Sequence, residues 1–292
     1  MIHYTAMLAA LAITTAAPAH KPVLSMDEFL TRSPAGDWRT IDAENLMVME
    51  LPSGPVAVEL ASTFAPNHVA NIKALVRSGY FDNSVIVRSQ DNYVVQWSAP
   101  EGRKITAGMD ALPAEFDKPI GAERFTPLPD PDTYAPVVGF SGAMPVARDP
   151  KSRRTWLVHC YGMVGAGRDD GADTGGGKEL YAVIGQAPRN LDRNVTLVGR
   201  VVQGIDRLSV LPRGTGDLGF YKTEAEKVPI RTVRMAADLQ AADRPKFEAL
   251  RTDSSTFKAL VESRRFRRDS WYKYAAGRLG VCNMPLPVRS KS

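Results

Sequence analysis

A single arginine, Arg88, stands in the middle of an otherwise apolar strand-like run, and Gln96 follows on the next such run after a polar turn at 89–92. A guanidinium is always charged and presents a rigid fork of N–H donors, so it can hold a carbonyl oxygen placed beside the strand. The alternative is a structural ion pair of Arg88 with Asp82 or Asp91. The sequence leaves both alternatives for Arg88 open, a donor to a bound group and a structural ion pair.

The glycine-rich segment 161–185 matches neither of the common phosphate-binding motifs. A P-loop ends in Gly-Lys-Ser/Thr, whereas Lys178 is followed by Glu179 and no glycine occupies the required start. A dinucleotide-binding motif needs a third glycine three residues after the second, and Gly165-Ala166-Gly167 lacks it. These glycines instead predict tight turns and close approach of the backbone to an extended peptide.

Neither the histidines nor the cysteines form a metal-binding pattern. The four histidines are scattered along the chain, and no Cys/His spacing suits zinc. The two cysteines, Cys160 and Cys282, both stand in apolar surroundings. In an oxidising compartment they can pair and tie the C-terminal tail to the main domain; the alternative is two buried thiols. No metal and no cofactor is expected from these patterns.

The spacing of apolar residues predicts a mainly β protein. Short strands at 46–51 and 56–60, separated by Pro52-Ser53-Gly54-Pro55, predict a hairpin. From Pro66 onward apolar residues recur at helical spacing until Gly79 ends the helix. After an interval rich in Pro, Gly and Asp, strand signals return at 155–159, 180–184, 196–202 and 228–233. Many short strands and few sizeable helices favour a closed β-barrel with helices at its ends.

The span from Val56 to Gln96 resembles the N-terminal half of cyclophilin-type peptidyl-prolyl cis-trans isomerases. The shared features are the helix start Ala65-Pro66, the helix end Gly79-Tyr80-Phe81-Asp82, and a following strand that carries Arg88. A second stretch, 161–206, is similar to the glycine-rich segment of that family and to the strand and short helix that follow it.

The resemblance implies the fold and its limits. A closed eight-stranded antiparallel barrel with capping helices is expected over 46–236, with the interval at about 100–151 as an elaborated loop layer over the barrel. Residues 20–45 form an N-terminal segment. Residues 237–292 form a helical C-terminal extension without a counterpart in a minimal cyclophilin.

The resemblance also implies an active site, with Arg88 as the catalytic arginine and Gln96 as the groove glutamine. The residues expected to bind substrate are Tyr93, Val94, Tyr181 and Leu191 in the proline pocket, and Gly167 and Arg168 in the backbone-pairing segment. Isomerising an X–Pro bond needs no nucleophile or metal, because the barrier of about 20 kcal/mol comes from amide resonance. A fixed guanidinium lowers it by donating hydrogen bonds to the substrate carbonyl oxygen and toward the prolyl nitrogen. The expected partners are proline-containing polypeptides.

The groove departs from the usual residues of the family at several positions. Asn190 stands where many members have tryptophan, Val195 where they have histidine, and Glu179 where they have glutamine. These changes predict weak cyclosporin binding. They also leave a second hypothesis open, a non-catalytic peptide-binding or chaperone module. The presence of Arg88 favours catalysis, whereas the remodelled groove favours binding alone.

The first 19 residues are an apolar run that ends in Ala17-Pro18-Ala19, the small-residue pattern of a secretory cleavage site. The run is shorter than the roughly 20 apolar residues needed to span a bilayer, so no stable membrane insertion is expected after cleavage. Its start contains His3 but no Lys or Arg, and a disordered cytoplasmic leader is the alternative. We expect a periplasmic protein whose mature chain begins near His20.

The net charge of +5 is mild, but basic residues are concentrated in Arg264–Arg268, beside Trp271, Tyr272 and Tyr274. Such a run can contact nucleic acid or anionic lipid. The alternative is a solvated helix face whose aromatic residues dock on the body of the protein. No nucleic-acid partner is expected. A third functional hypothesis is an envelope protein that uses this segment to dock on a partner.

Overall fold

The computed structural model describes residues 25–291, so the predicted leader, 1–19, lies outside the described residues. The helices are α1 (Met26–Arg32), α2 (Pro66–Arg77), α3 (Ile205–Ser209) and α4 (Ser255–Arg265). The strands are β1 (Trp38–Thr40), β2 (Leu46–Leu51), β3 (Gly54–Leu60), β4 (Ser84–Ser89), β5 (Val94–Ser98), β6 (Lys118–Pro119), β7 (Thr126–Pro127), β8 (Val137–Ser141), β9 (Met144–Asp149), β10 (Arg154–Leu157), β11 (Met163–Ala166), β12 (Glu179–Val183), β13 (Leu197–Gln203), β14 (Val228–Ile230), β15 (Val233–Met235), β16 (Phe247–Leu250) and β17 (Val288–Ser290). Within 25–291, no helix has the length and apolar character to cross a bilayer.

Helix α2 begins and ends where the sequence pattern predicts. Pro66 stands in its first turn, where the missing N–H costs no hydrogen bond. Its apolar face is buried in the barrel core through Val69, Ile72, Leu75 and Val76. Gly79 then adopts a φ of +74°, the left-handed conformation that commonly follows a helix.

Nine strands form one antiparallel sheet in the order β14-β4-β5-β12-β11-β13-β3-β2-β15. Its two outer strands are consecutive in the chain and are separated only by Arg231 and Thr232. The N–H of Arg231 donates to the carbonyl of Glu50, and the N–H of Glu50 donates to the carbonyl of Thr232, both at 2.9 Å. The two ends of the sheet therefore meet. The predicted eight-stranded barrel is confirmed, with its last strand divided into two.

The interval 100–151 is not a loop layer throughout, because part of it folds into a second sheet, in the order β6-β10-β9-β8-β7. Strands β8 and β9 pair through a two-residue turn at Gly142 and Ala143, whose φ angles of 56° and 61° are both positive. Two positive φ angles are typical of the hairpin turn that matches strand twist. Gly-Ala lacks the Asn-Gly or Asp-Gly signature of such turns, which is why the sequence pattern did not reveal the hairpin. The strand predicted at 155–159 also belongs to this sheet, as β10.

The C-terminal extension is only partly helical. Helix α4 is present and begins after Ser254, whose hydroxyl accepts the N–H of Phe257 at 3.1 Å. Residues Phe247–Leu250, which the sequence pattern assigned to the helix, instead form β16 in a three-stranded sheet of order β1-β16-β17. β16 has a pairing partner on each edge, and these tertiary hydrogen bonds outweigh the helix propensity of its residues.

Cys160 and Cys282 form a disulfide, with a Cα–Cα distance of 5.0 Å, so the first of the two alternatives for the cysteines is confirmed. The extension also packs on the second sheet through a hydrophobic cluster that includes Phe140 and Phe257, whose rings meet edge to face at 5.2 Å. The bond and the cluster together join the extension to the segment that leads into β11.

Candidate active site

One groove on the barrel brings together all eight residues that the sequence analysis assigned to the site. Its cavity volume is about 520 Å³. The predicted residues that line it are Arg88, Tyr93, Val94, Gln96, Gly167, Arg168, Tyr181 and Leu191. It is also lined by Asp169, Asp170, Glu179, Val195 and Phe220. The convergence follows from the strand order, because β4, β5, β12 and β11 are successive neighbours in the barrel.

Arg88 lies on β4 next to a register shift between Ile86 and Arg88 in its pairing with β5. Its Nε donates to the carbonyl of Leu218 at 2.7 Å, and its Nη2 donates to the side chain of Gln90. Its Nη1 is 3.5 Å from Gln96 Oε1, which is a long and weak contact. Two anchored nitrogens thus hold the guanidinium in place and leave Nη1 as its least engaged donor.

The alternative of a structural ion pair for Arg88 does not hold. Asp82 pairs with Arg234, and Asp91 pairs with Arg213 at 3.1 Å. Within the described residues, no carboxylate lies at salt-bridge distance from Arg88. Its guanidinium carbon instead lies 5.5 Å from the ring centre of Tyr93 and 5.1 Å from that of Phe220. Burial lowers the pKa of Arg88, but from so high an ordinary value that the group stays charged at neutral pH.

Gln96 is held by Glu179, a contact that the sequence did not reveal. The Gln96 Nε2 donates to Glu179 Oε2 at 2.8 Å. An ionised carboxylate only accepts hydrogen bonds, so it fixes the amide with its NH₂ group toward Glu179 and its oxygen toward Arg88. The sequence marked Glu179 only as a departure from the usual glutamine.

The apolar part of the groove is a small cluster formed by Val94, Tyr181 and Val183, with Tyr93 and Val195 packed against it. The Tyr181 hydroxyl lies 2.9 Å from His159 Nε2, so it is engaged by a buried side chain. Gly165 is needed opposite this ring, because a Cβ there would lie 2.3 Å from it. Tyr181 therefore lines the groove with its ring, while its hydroxyl is engaged behind it.

The family model for cyclophilin-type peptidyl-prolyl cis-trans isomerase/CLD matches residues 46–236. The chain belongs to this family. Its activity class is therefore peptidyl-prolyl cis-trans isomerisation, and its substrates are proline-containing polypeptides.

Similar proteins agree with this assignment. A probable peptidyl-prolyl cis-trans isomerase of Brucella suis is 26% identical over 174 residues, covering 60% of this chain and 74% of the relative. A peptidyl-prolyl cis-trans isomerase-like 1 of Gibberella zeae is 25% identical over 189 residues, covering 65% of this chain and 90% of the relative. The crystal structure of cyclophilin AquaCyp293 from Hirschia baltica matches with a TM-score of 0.71 at 23% identity, covering 91% of this chain and 97% of that chain. This last likeness shows the fold, and it extends beyond 46–236 into the terminal segments.

Behind the cyclophilin pocket lies a chain of buried polar groups. His159 is fully buried, and its Nδ1 lies 3.1 Å from Asp192 Oδ1. Asp192 accepts from Arg189 Nε at 2.6 Å, and Arg189 continues to Asp132 at 2.8 and 2.9 Å. This chain holds the turn Arg189–Leu191, which places Leu191 in the groove. The sequence left His159 without a role, because its partners are distant in the chain.

The rim of the groove at Gly167 and Arg168 is built from backbone contacts. The Gly167 N–H donates to the carbonyl of Glu179 at 2.9 Å, so this amide is already engaged. Arg168 donates to the carbonyls of Asn194 at 2.9 Å and Asp169 at 2.6 Å. Its guanidinium thus shapes the rim, while the Asp169 and Asp170 side chains line the groove beside it.

Helix α2 supports the glycine-rich loop behind this rim. His68 Nε2 lies 3.1 Å from the carbonyl of Gly175, and its Nδ1 lies 2.7 Å from Glu115. Asn71 donates to the carbonyl of Gly176 at 2.6 Å. Two polar residues of the buried helix face thus satisfy loop carbonyls that have no strand partner.

Proposed function

We propose that the protein accelerates X–Pro isomerisation in polypeptides that fold in the periplasm, with Arg88 as its catalytic residue. The observation that carries the role of Arg88 is its guanidinium, which is fixed by Leu218 and Gln90 without a carboxylate partner in the described part of the chain. It lies in the same groove as the apolar pocket of Val94 and Tyr181.

The chemistry follows from this arrangement. A prolyl ring bound in the apolar pocket brings its peptide bond beside Arg88. As the bond twists, amide resonance is lost and the lone pair localises on the prolyl nitrogen. A donor such as Nη1 of Arg88 binds that nitrogen more strongly in the twisted state than in the planar one, which is transition-state stabilisation. Gln96, oriented by Glu179, supplies a further polar contact to the substrate backbone.

The periplasmic location is supported by two independent features. The small-residue end of the leader, Ala17-Pro18-Ala19, is typical of a secretory cleavage site. The disulfide Cys160–Cys282 belongs to a class of bond that persists in oxidising compartments. Mass spectrometry of the protein from a periplasmic fraction should find a chain that begins near His20. An intact Met1 on protein recovered from the cytosol would contradict export.

A second candidate function is peptide binding with little turnover. It is favoured by the engagement of two Arg88 nitrogens with Leu218 and Gln90, because these contacts leave fewer donors for a substrate. The absence of the family tryptophan at Asn190 favours it too.

A protease-coupled isomerisation assay on a proline-containing peptide tests both candidates. We expect turnover by the parent, and a fall in kcat/KM of roughly 10²–10³ in Arg88→Ala, the effect of losing one transition-state donor. Arg88→Lys keeps the charge without the fork and should recover little activity. Arg103→Ala, which removes an arginine outside the groove, is the matched control. Equal activity in the parent and Arg88→Ala would remove Arg88 from the mechanism. Peptide binding by the parent without acceleration would favour the second candidate.

A further inference from the structure

The segment that follows α4, residues 266–279, exposes an unusual amount of aromatic surface; we call it the aromatic tip. Trp271 is 82% exposed and Tyr274 is 89% exposed, more than any other large hydrophobic side chain among residues 25–291. Phe266 and Tyr272 are also exposed. Single exposed apolar residues are normal on a protein surface, but here four lie within one short segment, and a concentration of exposed apolar residues is typical of interaction sites.

The tip has a defined conformation. Asp269 accepts the N–H groups of Trp271 and Tyr272, each at 2.8 Å, and also binds Arg267 at 2.8 Å. The hydrogen bond from the backbone of Tyr272, followed by the Arg267 contact, lowers the pKa of Asp269 to about 2. The carboxylate is therefore charged at neutral pH and closes the turn on its polar side. The ring of Trp271 is left in solvent.

The base of the tip is fixed to the body of the protein. Arg265 at the end of α4 binds Asp130 at 2.8 and 3.0 Å, and the N–H of Leu279 donates to the same carboxylate at 2.9 Å. The N–H of Gly277 donates to the carbonyl of Arg265 at 2.9 Å. The disulfide at Cys282 follows three residues beyond the tip. A surface held this way loses little conformational entropy when it binds a partner.

The tip and the end of α4 that leads into it are rich in basic residues. Arg265 and Arg267 have carboxylate partners within the protein. Three further basic residues of the tip have no carboxylate at ion-pair distance within 25–291, and these are Arg268, Lys273 and Arg278. The tip therefore combines net positive charge with two almost fully exposed rings, Trp271 and Tyr274.

We propose that the aromatic tip is a peripheral docking site for an anionic lipid bilayer. Tryptophan and tyrosine combine an apolar ring with a polar group and are enriched at the membrane–water interface. Each Lys or Arg close to an anionic membrane surface strengthens binding by about fivefold. Single-stranded nucleic acid instead binds along a groove in which successive bases stack, and the tip is a turn. The charge and the rings favour the lipid interface, and the small area implies weak, reversible, salt-sensitive binding.

Vesicle flotation with the full chain tests this proposal, using phosphatidylcholine vesicles with and without phosphatidylglycerol. We expect binding only to the anionic vesicles, reduced by added salt. Trp271→Ala/Tyr274→Ala should lower the vesicle partition coefficient by tenfold or more, and Arg268→Gln/Lys273→Gln should lower it by an order of magnitude or more. Tyr161→Ala removes a half-exposed tyrosine elsewhere and should bind like the parent. Because every variant carries the same residues 1–24, any contribution from the leader cancels.

The readouts separate docking from folding and from catalysis. Circular dichroism and isomerase activity of the tip variants should match the parent, because the tip lies outside the groove. Parent-like vesicle binding by Trp271→Ala/Tyr274→Ala would overturn the proposal. So would binding of the parent to a single-stranded oligonucleotide without binding to anionic vesicles.

Discussion

The two ends of the groove are built on different principles. At the arginine end, which comprises Arg88, Gln96 and Glu179, the polar side chains are partly exposed and each is held by one or two hydrogen bonds. At the pocket end, which comprises Tyr181, His159, Asp192, Arg189 and Asp132, the polar side chains are buried and joined in one continuous chain. The first end can donate to a substrate, whereas the second has all its polar groups engaged.

This difference predicts different consequences of mutation. Removing one member of a buried charged chain leaves its neighbours unpaired and costs several kcal/mol. Removing a partly exposed partner costs little stability, because water replaces it. Changes at the arginine end should therefore act on turnover, and changes at the pocket end should act on folding.

The largest effect is expected at Asp192, whose side chain is only 7% exposed and binds both His159 and Arg189. Asp192→Ala should lower the free energy of unfolding by about 3–5 kcal/mol, because the buried charge of Arg189 then has only one carboxylate partner, Asp132, instead of two. Urea unfolding measures this. Asp91→Ala is the control: Asp91 also pairs with an arginine but is 82% exposed, and its loss should cost at most about 1 kcal/mol. Equal costs in the two variants would contradict the distinction between buried and exposed charged groups on which the comparison of the two ends rests. If Asp192→Ala does not fold, Asp192→Asn provides the same comparison.

The next effect is on turnover. Glu179→Leu removes the acceptor that orients Gln96. We expect kcat/KM to fall by about tenfold, a little less than the effect of losing a whole hydrogen bond to a charged group, which is typically about 1.5–3 kcal/mol. The free energy of unfolding should change by no more than about 0.5 kcal/mol. Glu179→Gln keeps an acceptor oxygen and should retain most of the activity. A loss of stability without a loss of turnover would place Glu179 among the structural residues.

A smaller effect is expected from Tyr181→Phe. The ring that lines the pocket is kept, so kcat/KM should stay close to that of the parent. The His159 Nε2 loses its partner, which should cost about 1–2 kcal/mol of unfolding free energy. Tyr93→Phe removes a groove hydroxyl that has no hydrogen-bond partner within residues 25–291, so it should leave stability unchanged and is the matched comparison. A large loss of turnover in Tyr181→Phe would show that the hydroxyl takes part in the reaction.

The smallest effect concerns the decline in the free energy of unfolding at acidic pH. Burial alone would raise the pKa of Asp132, but the hydrogen bonds from Arg189 outweigh it and hold the pKa below its usual value. A carboxyl with a lower pKa in the folded state stabilises the protein above its unfolded pKa of about 3.9, and this contribution is lost as the pH falls through the folded value. The free energy of unfolding should therefore decline below about pH 4. Asp132→Asn should show a shallower decline, and an identical slope would exclude Asp132 as a source.

The sequence placed residues of the groove correctly on neighbouring strands where the pattern is local. Arg88 and Gln96 lie on adjacent strands joined by a short turn, so a linear pattern can place both. Glu179 lies far from Gln96 in the chain, and only the pairing of β12 with β5 brings them within 2.8 Å. Leu218 and Phe220, which hold and flank the Arg88 guanidinium, come from a distant segment with no recognisable signal.

Local sequence signals specify the local elements: the start and end of α2, the β2–β3 hairpin, and the positions of most barrel strands along the chain. Their signals are short-range, since helical and strand periodicities repeat every few residues. Only the tertiary structure decided that Phe247–Leu250 is a strand, that Cys160 meets Cys282, and that His159 lies between Tyr181 and Asp192. These outcomes depend on which distant segments become neighbours when the whole chain folds, and the hydrogen bonds and burial formed there outweigh local preference.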